Sequence, residues 1–306
     1  MLSRYRGARV LVTGHTGFKG RHLLQALRNL GAEVGGFSLP NDDVRNLPRL
    51  VQYVDRLRPR FVFHLAAQAF VPRGYEDPIT TFSTNTIGTA NVLEALRLAG
   101  RPCAVVIVTT DKVYVPKSSP HVEEDPLGGR DPYSASKAAA EAVVTAYRDG
   151  FFAPTHEIAV ATARAGNVIG TGDFGLGRLV PNCARALRAG EPIQAWNPNA
   201  VRPWQHVEDV IDGYMLLGAA LAGKSRGFYC VPWNFGPGRH ATVKEVIEEV
   251  IHAWGSGTWE HQPTTLREVA DLRIDSTKAR MMLGWCPKWS FEEMIAKTIR
   301  WYKGAL

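Results

Sequence analysis

Along the first half of the chain, apolar side chains come either in short unbroken runs or at every third or fourth position. The runs Ala8–Thr13 (ARVLVT), Glu33–Phe37, Arg60–Leu65 (RFVFHL), Ala104–Thr109 and Glu157–Ala163 predict strands. The near-continuous apolar character of Ala104–Thr109 predicts a strand covered on both faces. Between them, Phe18–Leu30, Leu47–Leu57, Asn85–Ala99 and Tyr133–Tyr147 carry helical spacing. Strand and helix in alternation predict a parallel sheet with crossover helices.

After about Gly170 the alternation loosens. Helices are predicted at Leu179–Ala189, Val207–Leu221 and Val243–Trp254, with a last one starting near Phe291. The chain is therefore read as a larger unit over residues 1–170 and a smaller mixed unit over 171–306. The boundary is soft and leaves room for the chain to cross back. No internal repeat or low-complexity linker interrupts either half.

Composition narrows the class. In 306 residues, 45% hydrophobic and 21% charged side chains are the proportions of a globular protein with a substantial core. No apolar run is long enough to cross a membrane, and the opening MLSRYRGARVLVTG reaches a strand without an apolar leader. Cys103, Cys183, Cys230 and Cys286 lie far apart, which predicts reduced thiols, no metal site and a cytoplasmic protein. The net charge of +7 comes from scattered arginines rather than a basic run. That pattern argues against a nucleic-acid surface and suits a small, multiply anionic substrate.

Gly14, Gly17 and Gly20 stand in TGHTGFKG, between the first strand and the first helix. In a strand–turn–helix unit, such glycines allow a tight turn and let a pyrophosphate approach the backbone and the helix N-terminus. The fold class is thus α/β, a Rossmann-type doubly wound parallel sheet with a smaller mixed C-terminal substrate-binding domain. The second strand ends Gly36-Phe37-Ser38-Leu39-Pro40, without the acidic residue that often clamps a ribose and without an arginine in its place. NAD is expected, and NADP is left open. Asp43 either reaches the adenine end or caps a turn.

Tyr133 and Lys137 occur as Tyr-Ser-Ala-Ser-Lys, a spacing that puts both on one helical face. An ammonium beside a phenol favours the phenolate, which can take a proton from a sugar hydroxyl. Thr110, Asp111 and Lys112 end the fourth strand. At the carboxyl end of a parallel strand, a neighbouring acid and amine can serve as general acid and base on adjacent carbons, or simply form a surface ion pair.

The segments TGHTGFKG, HLAAQ, TTDKVY, DPLGGRDPYSASKAAAE, ATARAGNVIGTGD and NPNAVRPWQHVED together resemble CDP-glucose 4,6-dehydratases of the extended short-chain dehydrogenase/reductase family. The likeness continues through WNFGP, DSTKARMMLGW and TIRWY. The Asp-Lys pair is specific, because dTDP-glucose dehydratases carry Asp-Glu there. The resemblance implies a lyase of deoxysugar biosynthesis. Tyr133, assisted by Lys137 and Thr110, takes the 4-hydroxyl proton as hydride leaves C4 for NAD. Lys112 removes the C5 proton, Asp111 protonates the departing C6 hydroxyl, and hydride returns to C6.

The same resemblance implies that Gly14, Thr16, Gly17, Phe18, Gly20, Ser38, Asp43, Leu65, Ala66, Ala67, Gln68, Thr109, Tyr133 and Lys137 hold the cofactor. Asn85, Asn167, Arg178, Leu179, Arg202 and His206 are implied to face the nucleotide sugar. It further implies a homodimer built from the helices near Asn85–Ala99 and Tyr133–Tyr147. The chain departs from the family in four ways. It lacks a longer excursion before Asp43, it reads Val-Pro-Lys-Ser-Ser-Pro-His after Tyr114, it has Phe174 where tryptophan is usual, and Glu208-Asp209 follow His206 where the family differs.

Other readings stay open. His64 is either a hydrogen-bonded core histidine or a cofactor neighbour, Trp204 either core or a base platform, and Arg202 either an internal ion pair or a phosphate ligand. A nucleotide-sugar epimerase or 4-ketoreductase would use the Tyr/Lys pair without the Asp/Lys pair. A cofactor-sensing binding module would bind without turnover.

Overall fold

A computed structural model describes residues 1–153, 157–264 and 269–305. The first strands and helices alternate as expected. β1 (Arg9–Thr13), α1 (Phe18–Asn29), β2 (Glu33–Phe37), α2 (Leu47–Leu57) and β3 (Phe61–His64) come first. The short helices α3 (Val71–Glu76) and α4 (Pro78–Phe82) then lead to α5 (Gly88–Ala99). β4 (Cys103–Val108), α6 (Pro132–Tyr147) and β5 (Ile158–Ala165) complete this half. Ends differ from the sequence reading by one or two residues. The exception is the helix expected from Asn85, whose first turn is a π-helical segment, Ser83–Ile87, running into α5.

The second half holds β6 (Asn167–Ile169), α7 (Leu179–Ala189), β7 (Ile193–Ala195), β8 (Val201–Arg202) and β9 (Trp204–His206). It continues through α8 (Val207–Leu221), β10 (Trp233–Phe235), β11 (Ala241–Thr242), α9 (Val243–Trp254) and β12 (Trp259–His261), ending in α10 (Thr277–Leu283) and α11 (Phe291–Ala305). Strands of two or three residues are too short to show a period, and local pattern carries no sign of them.

The main sheet is six-stranded and parallel throughout, in the order β10-β5-β4-β3-β1-β2. Side chains alternate across it. Val10, Val12, Phe61, Phe63, Val106 and Ala161 face a core closed by α1 and α8, while Leu11, Val62, Val105, Ile107 and Val160 face α2, α5 and α6. The strand order reverses between β1 and β3, and it is outside the carboxyl ends of such strands that open α/β sheets bind ligands.

Residues 207–235 return to this sheet. α8 packs on the β3/β4/β5 face, and β10 pairs with β5 in the register Trp233–Ala163 to Phe235–Ala165. Phe235 is fully buried, with its ring 5.1 Å from Trp285 and 5.8 Å from Tyr214. α10 joins the same core through Ala279 and Leu283, and the rest of the second half surrounds a separate core of α7, α9, α11, β7 and Trp204. The expected first unit therefore receives a strand and two helices from beyond residue 170.

Phe235→Ala removes a ring from this junction without touching the cleft. The expected cost is about 3–5 kcal/mol in urea denaturation. A loss below about 1 kcal/mol would show that β10 is not an integral part of the core.

Candidate active site

The glycine loop is shaped by close approach. Gly14 has φ 73°, and a Cβ there would sit 2.6 Å from the Ala66 amide nitrogen. A Cβ on Gly20 would fall 2.1 Å from the Gly14 carbonyl oxygen. Gly17 and Thr16 are exposed at the mouth of the loop, and no side chain caps the first turn of α1. That leaves a helix N-terminus facing outward, a fit for a dinucleotide pyrophosphate. Phe18 opens the helix. At the far end of β2, Ser38 is buried and its hydroxyl has no partner. Asp43 makes a turn with Arg45, whose guanidinium and amide hold its carboxyl below the usual range.

Beside the loop, His64 joins three elements. Its Nδ1 lies 2.7 Å from Thr13 Oγ1 and its Nε2 3.1 Å from Thr89 Oγ1. The Thr89 hydroxyl donates to the Asn85 carbonyl, so Nε2 carries the proton and Nδ1 accepts from Thr13. Burial holds the imidazole neutral, with its pKa lowered to about 3. His64 is thus a hydrogen-bonded core residue. It steadies the turn Leu65-Ala66-Ala67-Gln68, whose Ala66 amide reaches Thr13 Oγ1 at 3.3 Å.

Asn85, expected at the sugar, does not line the cleft. It accepts from the Gln68 amide at 2.8 Å and donates to the Gln68 carbonyl and Ser136 Oγ, both at 2.9 Å. Its amide is committed to clamping the 65–68 turn to α6. The Gln68 side chain likewise folds onto Phe70 and Thr81.

The expected reacting set converges. Thr110, Asp111, Lys112 and Tyr133 line one cleft of about 460 Å³, within the size range of small-molecule sites. Asp131 caps α6 and places Tyr133 in its first turn. Lys137 follows one turn later, buried, with Nζ donating to the Val108 carbonyl at 3.0 Å. Thr110 Oγ1 donates to Asp111 Oδ1 at 2.9 Å and caps the 3-10 turn Asp111–Val113. Asp111 Oδ2 is buried without a partner. Burial raises the carboxyl above its ordinary range, against the opposing pull of Lys112, Thr110 and Arg202. That favours the protonated acid.

The Tyr133 phenol differs from expectation. Burial pushes it up to about 12, with the Thr110 hydroxyl and Arg178 pulling it back and Asp111 opposing. Lys137 is lowered to about 8, burial outweighing the Glu141 carboxylate. Desolvation therefore outweighs the through-space effect that the i,i+4 spacing promised.

On the substrate side, Asn167, Arg178, Leu179 and Arg202 line the cleft. Arg178 lies over the Phe70 ring at 5.1 Å and 3.4 Å from Asp173. Arg202 is buried and donates to the Val201 carbonyl at 2.8 Å. His206 does not line the cleft. It is buried, caps α8 by accepting from the Glu208 amide at 3.3 Å, and packs on Trp289. Trp204 is buried in the second core, bonded to the Ala241 carbonyl. Thr109 donates to Glu141 at 2.6 Å.

Sequence reasoning missed Phe70, Trp196 and Lys19, all in the cleft wall. Lys19 was visible as the charged residue within TGFKG, on the face of α1 that its first turn presents to the sheet edge. Burial, with Arg178 and Lys137 nearby, lowers it to about 7, and its nearest polar partner is the Tyr214 hydroxyl at 3.5 Å. Among the described residues no group of three His, Cys, Asp or Glu could hold a metal, and no helix is long and apolar enough to cross a membrane.

Lys19 binds its proton less tightly when folded than when unfolded, so its burial cost is full below about pH 7 and fades toward 10.5. Lys19→Met is therefore expected to be more stable than the parent at acidic to neutral pH, with the advantage shrinking as pH rises. Urea denaturation across that range checks this, and a constant difference would refute it.

A sequence profile of the NAD dependent epimerase/dehydratase family matches residues 10–229. The chain is 37% identical to the CDP-glucose 4,6-dehydratase of Salmonella typhimurium over 332 residues, covering 98% of this chain and 91% of that protein. It is 31% identical to the dTDP-glucose 4,6-dehydratase of Streptomyces antibioticus, covering 96% and 92%. Its fold superposes with a TM-score of 0.84 on the UDP-glucose 4-epimerase of Thermus thermophilus in complex with NAD, at 29% identity and covering 97% and 100% of the chains. A dTDP-glucose 4,6-dehydratase from Streptomyces venezuelae, with NAD bound, gives 0.84 at 26% identity, covering 97% of each. With its glycine loop, its parallel sheet and a match across most of its length, the chain belongs to the NAD dependent epimerase/dehydratase family.

Proposed function

We propose that the protein is a nucleotide-sugar 4,6-dehydratase that converts CDP-glucose to the 4-keto-6-deoxy sugar nucleotide, with NAD as its resident cofactor. The observation that carries this reading is the meeting of Asp111 and Lys112 with Tyr133 in one cleft. An epimerase needs the Tyr133/Lys137 pair but not the Asp111/Lys112 pair. An acid and a base beside it are what loss of water across C5 and C6 requires.

Gly14, Gly17 and Gly20 would hold the pyrophosphate of NAD, with the 65–68 turn and Thr109 alongside. Bound there, NAD would supply a reversible hydride acceptor, so the cycle would have no net redox change. Tyr133 Oη takes the C4 hydroxyl proton, with Thr110 beside it. Lys112 Nζ takes the C5 proton, which the neighbouring ketone has made acidic. Asp111, whose carboxyl burial shifts toward the acid form, gives a proton to the departing C6 hydroxyl. Lys19, Arg178 and Arg202 give the wall a positive field for the substrate pyrophosphate, and Arg178 is the one whose fork can reach two phosphate oxygens. The choice of cytidine rests on the Asp-Lys pair and on the Salmonella relative.

We also propose a homodimer of the cytoplasm. Ile79, Phe82 and Ile87 are exposed around the π-helical segment, and Ala142 and Ala146 are exposed one turn apart on α6. A second copy laid antiparallel on this face would form a four-helix bundle.

CDP-glucose deuterated at C4 separates the two chemistries. Label at C6 of a 4-keto-6-deoxy product is expected, and label returned to C4 of an epimer would overturn the dehydratase reading. Asp111→Asn is expected to lower kcat by about 10²–10⁴-fold, with the fold intact by circular dichroism. Phe82→Glu combined with Ala142→Glu is expected to give a monomer in light scattering, and an unchanged mass would rule out this face as the interface.

A further inference from the structure

Beneath the cleft lies a buried ion pair that the reaction scheme leaves unused. Glu141 stands on α6 one turn beyond Lys137 and two beyond Tyr133, on the same face, and is 3% exposed. Arg164, near the end of β5, is 2% exposed. The guanidinium grips the carboxylate with two bonds, Nε to Oε1 and Nη2 to Oε2, each 2.9 Å. Both carboxylate oxygens take a second bond, from Thr109 Oγ1 at 2.6 Å and Thr162 Oγ1 at 2.8 Å.

Arg164 Nη1 then donates to the Tyr114 hydroxyl at 2.9 Å and the Glu123 carbonyl at 3.0 Å, with the guanidinium 5.0 Å from the Tyr114 ring centroid. The Tyr114 hydroxyl in turn donates to Asn234 Oδ1 on β10 at 2.7 Å. Thr109 and Tyr114 bracket the segment Thr110-Asp111-Lys112. The pair thus holds both ends of the turn that carries the acid and the base.

A fully buried ion pair adds little net stability over apolar groups of the same volume. Its two-sided grip on the turn is a matter of geometry. We propose that Glu141 and Arg164 are positioning residues of the reaction, which hold the Thr110–Lys112 turn against Tyr133 and set a negative charge one helical turn from Lys137. The proposal rests on the dehydratase reading for the identity of the reaction, but not for the charge effect on Lys137. Lys137 faces Tyr133 and Glu141 on its own helix, with Lys19 from α1 and His64 from β3 nearby. His64 is neutral over the working range, and of these groups Glu141 is the one that favours the ammonium.

The test is Glu141→Leu combined with Arg164→Met, which removes both charges at similar volume. Glu141→Gln is made alongside in case the double variant does not fold. The double variant is expected to keep its urea midpoint, lose about 100-fold in kcat with KM little changed, and show an alkaline limb of kcat about one pH unit lower. In the absence of substrate, NMR titration of the Lys137 Nζ resonance is expected to move down by the same amount. A folded variant with parental kcat and an unmoved Lys137 titration would overturn the proposal. If the parent turns over no NDP-glucose, the dehydratase reading fails instead, and the titration still decides whether Glu141 acts on Lys137.

Discussion

Everything functional in this protein depends on six strands pointing the same way. In a parallel sheet the carboxyl ends share one edge, and the strand order reverses there between β1 and β3. The glycine loop leaves β1 at that edge, the 65–68 turn leaves β3, and the Thr110–Lys112 turn follows β4. Asn167 follows β5. Residues separated by more than 150 positions therefore meet at one cleft without any long loop having to reach across the molecule.

Desolvation of charge then sets the chemistry of that cleft. Lys19, Lys137, Asp111, Glu141 and Arg164 all sit where water is scarce, and each deals with it differently. Glu141 and Arg164 pair with one another through a full set of hydrogen bonds. Lys19 and Lys137 are pushed toward the neutral amine, and Asp111 toward the neutral acid. A carboxyl with one oxygen bonded to Thr110 and the other without a partner is a group prepared to hand over a proton. The same burial raises the Tyr133 phenol, so the role of base proposed for it needs positive charge brought alongside.

The two halves of the molecule are less separable than a linear division implies. α8 and β10 come from the second half yet complete the first core, with Phe235, Trp285 and Tyr214 packed edge to face. Asn234 on β10 also accepts a hydrogen bond from the Tyr114 hydroxyl, so the returning strand reaches the end of the Thr110–Lys112 turn. The substrate wall, from Arg178 to Arg202, is carried between two visits of the chain to the same sheet. Its position is therefore set from both sides.

Much of this was legible in the sequence, because it is written in short-range pattern. The five first-half strands, their helices and the glycine loop follow from local periodicity and from where a backbone can tolerate no Cβ, as at Gly14 and Gly20. The spacing of Tyr133 and Lys137 put both on one helical face. Only the tertiary structure could decide what each face meets. Nothing local marks Arg164 as the partner of Glu141, assigns Asn85 to the Gln68 turn rather than the sugar, turns His206 into a helix cap, or sends the three residues of β10 back to the sheet. These depend on contacts between distant segments, and on how much water those contacts exclude, which sets the charge state of every buried group here.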